Sequence, residues 1–387
     1  MDKKEQLSII YKHIGETLNI SNTETSTIID SYKAVGQYLG NLEEELDINI
    51  YPQGSLALGT IIKPLKSDND GEYDIDMVCL LKNGSHLSSK EIKMTIGNRL
   101  KESERYEPML ESEGKRCWTL QYNDFHMDIL PSVPMNDELI DTHIRLTHTD
   151  DYSGYTSSYS NPKGYLEWFQ DEMKETIASS RQFYAEKNEV EIEEVPLYKL
   201  RTPLQVSIQL LKRHRDIMYQ NTKESEHKPI SIIITTLAAH AYEEKGLNLY
   251  DTLLNILDNM EIYIKNDENG EYVIENPTNP HENFADKWKN EPIKKDVFLK
   301  WLKAAKKDII LNPMIEAEGL PQLKKYLSKT FGENVISKSF ESYGEDQRIK
   351  RGNEKLGVNK TGRITEKEEE MASKMANHTF YGEDSIR

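Results

Sequence analysis

The chain has 387 residues, 37% of them hydrophobic and 30% charged, enough for two domains and a sizeable core. A net charge of −17 argues against a broad nucleic-acid surface, because sequence-independent binding rests on many Lys and Arg contacts to phosphate. No apolar run approaches a membrane span, and Met1-Asp-Lys-Lys-Glu carries no apolar signal core, so a cytoplasmic protein is expected, with Cys79 and Cys117 as core thiols.

Residues 3–46 read as helical. Apolar positions at Leu7, Ile10, Tyr11, Ile14 and Leu18, then at Ile28, Ile29, Tyr32, Val35, Tyr38 and Leu39, recur at helical spacing. Ser21-Asn22 marks the break and a cap, and the helices of residues 1–46 are expected to brace the core. Ile48-Asn49-Ile50-Tyr51 then runs into Tyr51-Pro52-Gln53-Gly54-Ser55, with Leu56-Ala57-Leu58 as a short helix after it.

Lys63-Pro64-Leu65-Lys66 and Ser67-Asp-Asn-Asp-Gly71 form a loop by composition. It ends at Tyr73-Asp74-Ile75-Asp76-Met77-Val78, 18 residues after Ser55. Residues i and i+2 of a strand leave the same face, so Asp74 and Asp76 project together, while residues 77–81 are apolar enough to be buried on both faces. A helix is expected over 91–105 and a strand over 118–122. Phe125-His126-Met127-Asp128-Ile129-Leu130-Pro131 follows as a second apolar run, with 51 residues between Asp76 and Asp128. That order suits a mixed α/β sheet in a core over residues 47–160. Residues 141–161, polar and rich in Thr, Ser and Tyr, read as a crossover between domains.

Past the crossover the patterns turn helical. Asn161-Pro162 opens a helix over 165–178, and Thr202-Pro203-Leu204-Gln205 is a capping box with Leu204, Ile208, Leu211 and Arg215 on one face beyond it. Residues 229–242 are apolar all round, and their length favours a buried helix over a strand. Further helices are expected over 250–264, 293–310 and 321–331, with a loop over 276–284, so that 161–335 make a helical second domain. From 336 a charged tail is expected. Residues 342–371 have the composition of a solvated segment, Thr365-x-x-Glu368 would cap a helix over 366–375, and Phe380-Tyr381-Gly382 is an aromatic close.

Chemistry concentrates at the turn and the acids. Two carboxylates held side by side repel by roughly a few kcal/mol at an effective dielectric near 20, a cost relieved by sharing a proton or by binding a cation. A Gly-Ser turn adds nothing to the first remedy. To the second it adds backbone N–H groups for an anion and a hydroxyl for phosphate oxygens, and carboxylates, Mg²⁺ and a phosphate cradle are the equipment of nucleotidyl transfer. Asp128 would supply a third carboxylate. Asp124 lies on the same segment, but the Asp-Ile-Leu-Pro context favours Asp128. Each fragment alone is weak, since most Gly-Ser pairs are plain turns; the ordered set is far more specific. His126 is read as a strand residue turned away from Asp128. Gln53, Lys63 and Lys66 lie near the turn, where phosphate contact and ordinary exposure are both open, and base rates make Lys212, Arg213 and Arg215 a solvated helix face.

Gly54-Ser55, Asp74-x-Asp76 and Asp128 together resemble the signature of the DNA polymerase β-like nucleotidyltransferases. The wider context, Tyr-Pro-Gln-Gly-Ser, Glu72-Tyr-Asp-Ile-Asp-Met-Val, Arg201-Thr-Pro-Leu-Gln and Gln209-Leu-Leu-Lys-Arg-His-Arg-Asp216, resembles the bacterial cGAS/DncV-like nucleotidyltransferases (CD-NTases), from about residue 40 to about residue 330. The resemblance implies an α+β fold, a polymerase β-like core with a mixed sheet and a helical second domain forming a cleft. It implies template-independent, metal-dependent synthesis of a cyclic di- or trinucleotide from nucleoside triphosphates (ATP, GTP or others) in CBASS antiphage signalling. Mg²⁺ would bind as two ions, with Mn²⁺ as a substitute, at Asp74, Asp76 and Asp128, and Gln53, Gly54 and Ser55 would meet phosphates. Relatives also place a lysine and, roughly twenty residues later, a serine on the triphosphate, where Lys212 and Ser231 match. Ile232 stands where eukaryotic relatives carry a base-stacking tyrosine, so base recognition must differ. The implied partners are an effector protein reached through the cyclic product and CBASS accessory proteins, with no membrane and no long nucleic acid; some relatives have their C-terminus conjugated to a partner. A linear-product nucleotidyltransferase (oligoadenylate, tRNA or small-molecule adenylylation) and a non-catalytic nucleotide-binding partner protein are the alternatives.

Overall fold

Period-two apolar residues build one sheet in this chain, and helical stripes build a second layer with a core of its own. The computed structural model describes residues 2–40, 47–65, 73–135, 142–150, 153–188, 191, 195–244, 246–316 and 318–352, and short strands at 356–358, 364–366 and 373–374. Reciprocal caps start both N-terminal helices. Asp2 and Glu5 cap α1 (Lys3–Leu18), and Ser21 and Glu24 exchange hydrogen bonds at the head of α2 (Asn22–Gly40). The break thus falls at Ser21-Asn22. The pair then parts company: Leu7, Ile10, Tyr11, Ile14 and Leu18 enter the core of the helical layer, whereas Ile28, Val35 and Leu39 lie against the sheet.

β1 (Ile48–Pro52), the single-turn α3 (Gly54–Ala57), β2 (Tyr73–Leu81), α4 (Ser89–Lys101), β3 (Trp118–Gln121) and β4 (Phe125–Pro134) follow the predicted order. The sheet runs β1-β2-β4 and continues into β5 (Ile144–Asp150) and β6 (Gly154–Ser160), with β3 also beside β4. Only β2 and β4 run parallel among these pairs, so the sheet is mixed. Ile75, Met77, Cys79 and Leu81 of β2 pack with α2 and α4. The alternate residues Val78 and Leu80 join Leu130, Ile144 and Leu146 in a smaller cluster on the opposite face, which is the face that carries Asp74 and Asp76.

The β5–β6 hairpin corrects the crossover expected over 141–161. Residues 156–160 of β6 alternate between half-buried and exposed positions, as on an antiparallel strand with one wet side, and the polar composition hid that alternation. The helix expected over 165–178 is two, α5 (Pro162–Asp171) and α6 (Lys174–Asn188).

Thr202 caps α7 (Pro203–Tyr219) in the predicted box with Gln205. Every α7 residue from Leu204 to Arg215 is buried, so Lys212, Arg213 and Arg215 are not a solvated face: the helix threads between the layers. α8 (Ser231–His240) is the expected buried helix, and α9 (Leu249–Asn259) follows. Two short pairs come next, β7 (Lys265–Asn266) with β8 (Tyr272–Val273) and β9 (Glu275–Asn276) with β10 (Asn279–Asn283), the latter within the stretch predicted as loop. α10 (Pro292–Ala305) passes through a π-helical turn, Lys306–Leu311, into α11 (Asn312–Glu316) and then α12 (Leu320–Phe331).

α13 (Glu333–Gly352) carries the chain into the charged region as a helix rather than a solvated segment. Ile336, Ser339 and Tyr343 are buried along one side of it; Ser339 Oγ donates to Thr17 Oγ1 at 2.9 Å, and His13 meets the Tyr343 ring edge-on. In place of a helix over 366–375, the described residues form strands β11 (Leu356–Val358), β12 (Ile364–Glu366) and β13 (Ser373–Lys374). Residues 66–72 and the Phe380-Tyr381-Gly382 close lie outside the described residues. No described helix is long and apolar enough to cross a membrane.

One close approach fixes α4 against the sheet. A Cβ on Gly97 would stand 2.1 Å from Trp118 Cζ2, and the indole cannot yield because its Nε1 donates to the Lys93 carbonyl at 2.9 Å. Gly97→Ala gains about 1 kcal/mol of helix propensity but overpacks this contact, so a net loss of roughly 1–3 kcal/mol is expected in urea unfolding. A variant as stable as the parent would mean that the helix can slide.

Candidate active site

Parallel pairing of β2 with β4 sets Asp76 directly opposite Asp128 and Asp74 opposite His126. Neighbouring strands lie about 4.8 Å apart, so Asp76 and Asp128 are adjacent carboxylates and Asp74 stands one pleat along. Thr119, the register partner of Asp128 on β3, donates its hydroxyl to Asp128 Oδ1 at 2.5 Å. Asp124 lies exposed in the turn before β4, so register pairs Asp128, and not Asp124, with Asp76. The expectation for His126 is corrected. Residues two apart on a strand share a face, so His126 is on the side of Asp128, where its Nδ1 lies 3.9 Å from Glu111.

The turn is pinned to the acids. Gln53 N–H donates to the Asp76 carbonyl at 2.9 Å, and Gly54 follows at φ +60°, where a Cβ would stand 2.7 Å from Asp76 Oδ2. Glycine is therefore required twice, by backbone angle and by the carboxylate. The N–H groups of the first turn of α3 have no intrahelical partner, and Ser55 lies among them facing the same cleft.

From Leu58 to Lys63 the chain has no strand to pair with, and α7 supplies the missing donors. Gln205 Nε2 donates to the Leu58 carbonyl at 3.0 Å, Gln209 Nε2 to Ile61 at 2.8 Å, Lys212 Nζ to both Thr60 oxygens at 3.1 Å, and the Arg213 guanidinium to Lys63. Arg215 Nη1 donates to Ser231 Oγ at 2.8 Å at the start of α8. The result is a cleft of about 610 Å³ lined by Gly54, Ser55, Asp74, Asp76, Lys212 and Ser231. Asp128 flanks it from the next strand. Gln53 lines an adjoining cavity of about 730 Å³ that meets the cleft at Gly54. Lys63 is turned to Glu24, 3.8 Å away. Thr119, Thr60 and Arg215 are the residues whose roles sequence reasoning missed: each acts through a partner on another element, Asp128, Lys212 and Ser231 respectively, and no local pattern marks the pairing.

Charge is balanced for ligands of both signs. Burial pushes the Asp76 carboxyl up to about 6, and Asp128 and Asp74 add to the shift against the pull of Lys212. Burial and then Arg215 bring Lys212 down to about 7, opposed by Asp216 and Asp76. Among the described residues no three acidic, imidazole or thiol groups close a metal shell by themselves. That donor set fits Mg²⁺, which commonly takes one or two carboxylates and completes its shell with water and substrate phosphates, and a cation here would relieve the repulsion that raises Asp76. A folded-state pKa above the unfolded one costs stability as pH rises from about 4 to about 6. Asp76→Asn in EDTA is accordingly expected to exceed the parent by about 1–3 kcal/mol at pH 7, a gain that disappears near pH 4; equal urea midpoints at pH 7 would rule out the strain.

Residues 6–172, which span the turn and both acidic strands, match the family described as Second Messenger Oligonucleotide or Dinucleotide Synthetase domain. The chain is 31% identical to the c-di-GMP synthase of Roseivirga ehrenbergii over 98% of both chains. It is 27% identical to the cyclic dinucleotide synthase CdnG of Bradyrhizobium diazoefficiens over 82% of this chain and 78% of the other. In fold it is similar to the structure of Bradyrhizobium diazoefficiens CdnG in complex with GTP, with a TM-score of 0.66 and 22% identity over 88% of this chain and 99% of that one. It is also similar to Vibrio cholerae DncV cyclic AMP-GMP synthase, with a TM-score of 0.56 and 13% identity over 83% and 93% of the two chains. With that identity maintained from end to end on the same fold, the chain belongs to the bacterial cGAS/DncV-like nucleotidyltransferases.

Proposed function

We propose that this chain joins two molecules of GTP into a cyclic dinucleotide, releasing pyrophosphate twice, at the cleft between the sheet and α7. The observation that carries this reading is the register of Asp76 with Asp128 against the Gly54-Ser55 turn, and the choice of GTP is supported by the relative named a c-di-GMP synthase. Residues 47–160 serve as the catalytic core and 161–335 as the helical domain that closes over it. Two divalent ions, Mg²⁺ or Mn²⁺, held by Asp74, Asp76 and Asp128 would neutralise the donor triphosphate and lower the pKa of the acceptor hydroxyl.

Each side chain then has one task. Ser55 and the first-turn N–H groups of α3 hold the departing phosphates, with Gln53 at their edge, and donors aimed at developing charge are the main catalytic contribution in such transfers. Lys212 has three donors, two of them engaged by Thr60, and offers the third to the triphosphate; Ser231, oriented by Arg215, sits beside it. Asp128 commits Oδ1 to Thr119 and uses Oδ2 to align the acceptor ribose hydroxyl, or to take its proton, for in-line attack on the α-phosphorus. The linear intermediate turns round and reacts again in the same cleft, and the two cavities that meet at Gly54 give room for both nucleotides. The product acts on an effector protein in CBASS signalling, with accessory proteins as further partners.

Incubation with GTP and Mg²⁺ is expected to yield a cyclic guanine dinucleotide by mass spectrometry, with none formed in excess EDTA. Asp74→Asn and Asp128→Asn should each lower pyrophosphate release by more than about 100-fold while keeping the parental fold. Unchanged turnover in either variant, or activity that persists in EDTA, would exclude the mechanism.

A further inference from the structure

The cavity beside the cleft contains a carboxylate with no role in metal or phosphate binding. Glu282 on β10 lines it, half-buried, with Arg116, Asn276, Phe284 and Trp288. Its position is built. Asn276, buried, accepts from the Thr278 N–H at 3.0 Å and the Thr278 hydroxyl at 3.1 Å, which orients its amide so that Nδ2 donates to Glu282 Oε2 at 2.8 Å. The carboxylate so held lines the cavity. Burial raises the Glu282 pKa, while Asn276 and the Arg116 charge favour the ionised form. A polyanionic substrate gives such a carboxylate nothing at its phosphates, so its partner must be a base or a sugar.

We propose that Glu282 reads the guanine edge of one of the two nucleotides, accepting from N1–H and the N2 amine; the proposal rests on the GTP reading above. Guanine alone among the common bases presents two adjacent donors on that edge. Adenine and cytosine set a ring acceptor beside their amine, and uracil sets carbonyls on both sides of its N–H, so each would leave lone pairs facing the carboxylate. A buried polar group left unpaired is what gives a site strong discrimination. The rings of Phe284 and Trp288 offer an apolar wall for the purine, and Ile232 cannot supply the stacking that an aromatic residue would.

The test compares GTP, ITP and ATP as kcat/KM for pyrophosphate release by the parent and by Glu282→Gln; ITP lacks only the N2 amine. The parent is expected to prefer GTP over ITP by about tenfold or more, as for a hydrogen bond to a charged group, and the variant to lose most of that preference with ATP use unchanged or raised. A uniform fall with all three substrates would assign Glu282 to ribose or to the fold and overturn the proposal. An unchanged preference would overturn it too. Should Glu282→Gln unfold, Glu282→Asp, which keeps the charge but withdraws it by one methylene, is expected to fold and to lose the preference. If the parent makes no cyclic product from GTP, the functional reading fails on its own, and calorimetric binding of GTP and ITP to parent and variant still decides the role of Glu282.

Discussion

The carbonyls of Leu58, Thr60, Ile61 and Lys63 belong to a stretch that no strand pairs with, and four polar side chains along one side of α7, Gln205, Gln209, Lys212 and Arg213, satisfy them. A buried carbonyl without a partner costs about 1–3 kcal/mol, so this set of bonds determines where the segment can lie. Because that segment begins at the end of α3, its position fixes the Gly54-Ser55 turn, and the turn is in turn tied to Asp76. The link between the sheet and the helical layer is therefore polar and directional. An apolar seam would hold the two layers together but would not place one carbonyl after another.

That arrangement has an electrostatic cost at the place where chemistry occurs. Asp76 is held beside two other acids, and Lys212 is buried next to Arg215. Each group is displaced toward its neutral form by the same burial that makes it useful, since a charge met in a dry site interacts more strongly than one met in water. Metal and triphosphate would relieve both displacements together. Local rules are broken at this site, as expected when stability is given up for function.

The two faces of the sheet divide the remaining work. The face under α2 and α4 is closed by Trp118, Ile75, Met77 and their neighbours, and it makes the strands rigid. The opposite face is left open beyond the small cluster of Val78, Leu80 and Leu130, and there the acids, the turn and the adjoining cavity share one space. β10, which carries Glu282, is tied to that space by Asn279 Nδ2, which donates to the Tyr159 carbonyl of β6 at 3.3 Å, and by Asn161 Nδ2, which donates to the Thr278 carbonyl at 3.1 Å. A hairpin that composition disguised as a crossover thus supplies one wall of the cavity.

What the sequence determined by itself was whatever depends on neighbours a few residues apart. The cap at Ser21-Asn22, the capping box at Thr202, the alternation that puts Asp74 beside Asp76, the buried run of α8 and the Gly-Ser turn could all be read from local spacing. The family resemblance followed from the same short motifs. Only the tertiary structure decided which acid meets Asp76, since a strand's register depends on pairing across the sheet, and it alone buried the Lys212 face of α7 and aimed Thr119 at Asp128; the place of His126 on the face of Asp128 follows from the same alternation as the Asp74 and Asp76 pair. The physical reason is that burial and register are properties of pairs of segments: Asp76 and Asp128 become neighbours through the hydrogen bonds between two strands, and nothing in either strand taken alone specifies the other.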